Sequence, residues 1–173
     1  MMMRNLLVER FKVAAHRELR VMPVYELTAT KDGPKFNPAK PAEPNNDELP
    51  DVESVEMPKR ASDGSWIFPP GIEFAAVMAA GMGHARIQLI GKPMSELTRI
   101  LSNQFRMPIV DKTGLTDTYN ISVSWQWESQ DRADRDAGLQ EAIRSQLGLQ
   151  LRPNKGQVPV LVLDHVETVP VEN

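Results

Sequence analysis

Hydrophobic and polar residues alternate strictly from Thr118 to Trp127. Tyr119, Ile121, Val123, Trp125 and Trp127 share one parity, and Asn120, Ser122, Ser124 and Gln126 share the other. A period of two predicts a strand buried on one face, as in an antiparallel sheet. Ala85 to Ile90 shows the same alternation over a shorter run. Between them, Met94, Leu97, Ile100, Leu101 and Phe105 recur at helical spacing. That stripe predicts an amphipathic helix, with Pro93 at its first position, where a missing N–H is tolerated. Met107 to Val110 reads as a short strand and Glu128 to Asp136 as a polar loop. Leu139 to Leu147 reads as a helix, and Leu149 to Arg152 and Val158 to His165 as strands. At the front, residues 3–11 read as a helix. Phe11 to Leu19 and Met22 to Thr30 read as two strands joined by a tight turn.

The front and back patterns match each other. An ungapped offset of 136 sets residues 5–27 against residues 141–163. It pairs Leu7 with Ile143, Phe11 with Leu147, Val13 with Leu149, Pro23 with Pro159 and Leu27 with Leu163. Each copy reads as a helix followed by a hairpin. A helix and two strands cannot bury an apolar face alone, so the copies are expected to pack together or share a sheet.

Residues 33–72 break the periodicity. They hold 8 of the 14 prolines, and six acidic residues with no basic one lie between Glu43 and Glu56. Proline removes backbone donors and like charges repel, so an extended or disordered loop is expected. The remainder is expected to be a single α+β domain over residues 1–173. Its sheet would be antiparallel or mixed, with helices packed on one face. Two helix-hairpin units would flank a β-α-β-β unit.

The chain has 173 residues, no cysteine and a formal charge of −3. Absent cysteine excludes disulfides, thiolate metal sites and a cysteine nucleophile. Mild acidity argues against nucleic-acid binding, which needs a basic surface. The charge is uneven: removing the six loop acids leaves 17 acidic against 20 basic residues. No apolar run approaches the roughly 20 residues of a membrane helix. MMMRNLLVERF is interrupted by Glu9 and Arg10 and lacks a cleavage site, so a chain complete as written would stay in the cytoplasm.

Chemistry-bearing motifs are sparse. Ile109-Val110-Asp111-Lys112-Thr113-Gly114 is similar to the aspartyl-phosphate motif of P-type ATPases, whose membrane domain and ATP motifs are missing here. A turn using Asp, Thr and Gly is the simpler reading. His16 with Glu18, and Asp164 with His165, offer mixed ligand types but no metal-binding spacing. No Gly-x-Ser-x-Gly elbow occurs, and Gly81-Met82-Gly83 lacks the rest of a nucleotide motif. No motif calls for a cofactor or metal. The candidate polar cluster is therefore His16, Glu18, Asp111, Lys112 and His165. Trp125 and Trp127 are a candidate ligand platform, although an alternating strand more often buries such rings.

Three stretches carry a family resemblance. They are LLVERFKVAAHRELRVMPVYELTATKDGPKF, PMSELTRILSNQFRMPIVDKTGLTDTYNISVSW and LQEAIRSQLGLQLRPNKGQVPVLVLDHVETVPVEN. They resemble the bacterial family called domain of unknown function 3738, abundant in soil Acidobacteria. The motif set is His16 and Glu18 ahead of Met22-Pro23-Val24-Tyr25, then Gly33-Pro34-Lys35, Asp111-Lys112-Thr113-Gly114-Leu115, and Asp164-His165-Val166-Glu167. Members usually carry a signal peptide and an extra front region, so this chain is similar to the C-terminal two-thirds of a member. The resemblance implies a periplasmic or secreted protein and brings no catalytic residues with it. Residues 85–127 are also similar in architecture to the short N-terminal interaction domains of secretins and TonB-dependent receptors. Together these readings favour a non-catalytic envelope module that binds a protein or small ligand. The alternatives are an extracytoplasmic hydrolase or metal-dependent enzyme, and a sensor domain linked to a membrane metallopeptidase.

Overall fold

The computed structural model describes residues 9–39, 59–60, 66–67, 74–79, 83–128 and 131–167. Its elements in chain order are β1 (Ala14–Ala29), β2 (Lys59–Arg60), β3 (Trp66–Ile67), β4 (Phe74–Ala79) and β5 (His84–Pro93). Then come α1 (Met94–Phe105), β6 (Ile109–Asp111), β7 (Thr118–Gln126), α2 (Arg132–Leu147) and β8 (Leu149–His165). This is an α+β fold. No helix among the described residues is long and apolar enough to cross a membrane.

The chain divides into two compact units. One comprises Tyr25–Pro153, the other Met1–Val24 with Asn154–Asn173. In the larger unit, β4, β5 and β7 form an antiparallel sheet in that order. Ile87 faces Val123 and Leu89 faces Ile121 across strands. The alternation from Tyr119 to Trp125 points one complete face inward, and all four odd-numbered residues are buried. Leu97, Leu101 and Phe105 of α1 and Leu139, Ile143 and Leu147 of α2 join the same core. Burial of each such aliphatic side chain stabilises the fold by about 1.5–3 kcal/mol before entropy is counted. Residues Tyr25–Leu27 of β1 pair in parallel with β6.

Several boundaries differ from the periodicity, each for a local reason. Pro93 is the N-cap of α1 rather than its first helical residue. The helix α2 starts at Arg132, inside the stretch read as polar loop, because the Asp131 carboxylate accepts a hydrogen bond from Ala133 N–H. Phe74–Ala79 is a strand, although its unbroken run of apolar residues gives no alternation. Within 33–72, Lys59–Arg60 and Trp66–Ile67 pair as a short antiparallel ladder. Pro38 bridges to Tyr119, and the Phe36 and Tyr119 rings meet edge to face at 5.3 Å. Residues 40–58, 61–65 and 68–72 of that loop lie outside the described residues, as do residues 3–8 of the expected first helix.

The two expected hairpins are corrected: each copy of the repeat holds one continuous strand, β1 and β8. Pro23 and Pro159 sit inside these strands instead of ending them. The offset of 136 carries Phe11, the last helical residue before β1, onto Leu147, the last of α2. It carries Lys12, with φ 47°, onto Gly148, with φ 65°. In both places a left-handed residue ends the helix and turns the chain into a strand. At Gly148 a Cβ would collide with the Gly33 carbonyl oxygen, so only glycine fits there.

In the smaller unit β1 and β8 are neighbours. Glu167 N–H donates to Phe11 carbonyl at 2.8 Å, and His16 meets Asp164, an antiparallel arrangement. Leu19, Val21, Leu161 and Leu163 are exposed on it.

Candidate functional site

The polar residues singled out by sequence fall into separate local arrangements. His16 Nδ1 lies 2.8 Å from Asp164 Oδ2, and its Nε2 lies 3.7 Å from Glu18. Glu18 is also paired with Arg20. The hydrogen bond to Asp164, followed by the charge of that carboxylate, raises the His16 pKa above its ordinary value. The two ring nitrogens address different carboxylates, so the group forms a chain of ion pairs rather than a convergent ligand shell. His165 has its own partner, Glu167, at 3.1 Å. In the larger unit, Asp111 Oδ1 accepts hydrogen bonds from Thr113 N–H at 2.8 Å and from Thr113 Oγ1–H at 2.7 Å. That is an Asx turn, which Gly114 continues at φ 73°. Lys112 is exposed and donates its backbone N–H to Leu27. Among the described residues, no group of three His, Asp or Glu side chains could hold a metal ion.

Trp125 and Trp127 occupy a different setting. Their ring centroids lie 6.3 Å apart and their planes are tilted by 40°. Trp125 is buried and Trp127 is half-buried. Both line a cleft of about 260 Å³ in the larger unit, together with Asn103, Gln104, Arg106, Arg132, Arg135 and Asp136. Four elements meet there: the start of β5, the end of β7, the C-terminus of α1 and the N-terminal turns of α2.

Glycines permit that meeting. Gly138 brings α2 against β7 so closely that a Cβ would lie 2.8 Å from Gln126 carbonyl oxygen. Gly83, at φ 78°, accepts Trp127 N–H at 2.9 Å through its own carbonyl and fixes the strand end. Arg132 ties the helices together. Its Nη2 donates to Phe105 carbonyl at 2.6 Å, at the C-terminus of α1, and its Nε lies 3.4 Å from Asp136.

Arg106 and Arg135 are different. Both side chains are exposed, and neither has an ion pair or side-chain hydrogen bond among the described residues. Arg106 is the C-cap of α1 at φ 51°, a left-handed position where glycine is the usual residue. A bulky cation is held at a conformational cost of about 1 kcal/mol, beside an indole pair. Sequence reading missed both arginines. The detectable signal was Arg106 standing where a helix C-terminus ordinarily places glycine. Three guanidinium groups against the single Asp136 carboxylate make the cleft cationic.

The fold and this cleft together define an α+β protein with a small aromatic and cationic recess. The family model described as "protein of unknown function (DUF3738)" matches residues 1–166, so the chain belongs to that family. Comparison with curated proteins and with solved structures gives no match.

Proposed function

We propose that this protein is a non-catalytic binding module that holds a small anionic ligand in the cleft beside Trp125 and Trp127. The observation that carries the reading is the pair Arg106 and Arg135 on the wall of that cleft, neither with a side-chain partner among the described residues. A guanidinium group with no carboxylate of its own is ready to take one from a ligand, bidentately and with charge assistance. The half-buried Trp127 supplies a flat apolar surface next to it. At about 260 Å³ the cleft lies just below the usual range for ligand pockets, which suits a single ring or a short acid.

The test is chemical-shift mapping of the full chain against a panel of sugar acids, short carboxylates, aromatic carboxylates and inorganic phosphate. The expected result is saturable shifts at the indole N–H groups of Trp125 and Trp127 and at Arg106 and Arg135. A panel that leaves those signals unmoved overturns the reading.

The envelope is the proposed site of action, supported by resemblance to a family whose members usually carry a signal peptide. Fractionation of the native host checks this. Recovery of the protein in the soluble cytoplasmic fraction alone would count against it.

A further inference from the structure

The lining of the cleft narrows the ligand beyond its charge. Each part of the wall has a chemical preference. Arg106 and Arg135 prefer a carboxylate or phosphate oxygen. Trp127 prefers a flat face, either an aromatic ring or the C–H face of a sugar. Asn103 and Gln104 present amides, each with two donors and an acceptor, and Asp136 presents carboxylate oxygens. Paired donors and acceptors of this kind match hydroxyl groups, which both give and receive hydrogen bonds.

Candidate ligands can be sorted against all three preferences. Inorganic phosphate satisfies the arginines but leaves the indole uncovered. An aromatic acid satisfies the arginines and the indole, yet covers the amides without giving them a partner. A neutral hexose satisfies the indole and amides but leaves two guanidinium groups unused. A single pyranose ring bearing a carboxylate satisfies all of them.

We infer that the cleft between β7, the end of α1 and the N-terminal turns of α2 binds a hexuronic acid. Its carboxylate sits on Arg106 and Arg135, its C–H face on Trp127, and its hydroxyls on Asn103, Gln104 and Asp136. This rests on the proposal that the cleft is a binding site, and it names the ligand class. Arg132 also lines the cleft, but its Nη2 is committed to Phe105 carbonyl and its Nε to Asp136. It acts as a positioning residue that joins the two helices bearing the recognising arginines.

The experiment is titration of the full chain with D-glucuronate, D-glucose and benzoate, followed by calorimetry and by indole N–H shifts. Glucuronate is expected to bind roughly tenfold to a hundredfold more tightly than glucose, as charge-assisted hydrogen bonds imply. The exposed double substitution R106Q/R135Q is expected to bring that ratio near one while glucose binding persists. R106G/R135Q, with the residue a left-handed cap favours, provides the same loss should the first variant fold poorly. Benzoate binding as tightly as glucuronate, or glucose matching it, overturns the ligand class and leaves the binding module standing. Absence of any shift with the whole anion panel overturns the binding module itself, and this inference with it.

Discussion

The His16 imidazole and the Asp164 carboxylate meet at 2.8 Å although 148 residues separate them in the chain. The bond links β1 to β8 and holds the His16 pKa above its ordinary value, with Glu18 adding a weaker pull. A raised histidine pKa contributes stability that is complete below the unfolded value, near 6.5, and is lost as pH rises through the folded value. Pairing of the two strands should therefore loosen on the alkaline side of 6.5. Histidine NMR titration should show the elevated pKa, and Asp164→Asn should return it toward normal. An unchanged titration in that variant would assign the shift to another group.

Arg106 separates stability from recognition. Replacing it by glycine removes a left-handed non-glycine residue, so the fold should be as stable or more stable by about 1 kcal/mol or less. Urea denaturation reads that change. The same substitution should reduce the advantage of a carboxylated ligand over a neutral one, with Arg135 left to supply the remainder. A stable protein with intact acid preference would remove Arg106 from the site.

Gly138 inverts the usual rule for glycine within a helix. Glycine to alanine in a helix interior ordinarily stabilises by about 1 kcal/mol. Here the new Cβ would stand 2.8 Å from the Gln126 carbonyl oxygen, a backbone atom held in β7. Gly138→Ala should therefore destabilise by about 1–3 kcal/mol and displace α2 from Trp125. Thermal unfolding together with the Trp125 indole shift would report both effects.

Leu97 tests the core of the larger unit. It is fully buried in α1 and belongs to the apolar cluster that joins both helices to the β4–β5–β7 sheet. Leu97→Ala should cost about 2–5 kcal/mol, the range for a buried leucine that leaves a cavity. A midpoint shift in urea at constant slope would confirm it. A cost under 1 kcal/mol would show that the site collapses freely.

Elements with a strong intrinsic period were legible in the sequence. Tyr119 to Trp125 alternates because every second residue enters the core, and α1 shows its buried stripe for the same reason. The continuity of β1 was hidden, because Met22-Pro23 resembles a break and the partner strand lies at the far end of the sequence. Proline within a strand is tolerated where no ladder bond needs its N–H, and that depends on the partner's register. The cleft was half legible. The tryptophans stood out, whereas Arg106 and Arg135 acquire meaning only when a helix end and a helix start converge on β7. The turn role of Asp111 was readable from Asp, Thr and Gly alone, since its hydrogen bonds are local.

The pairing of β1 with β8 has a consequence for the order of folding. A contact spanning 148 residues cannot form until everything between its two partners has been synthesised. Its loop-closure entropy is also among the largest this chain can incur. The sheet of β4, β5 and β7 has nearby partners and no such delay. β1 thus leaves the ribosome well before β8, and until β8 follows it presents an unpaired backbone edge to chaperones or to other nascent copies.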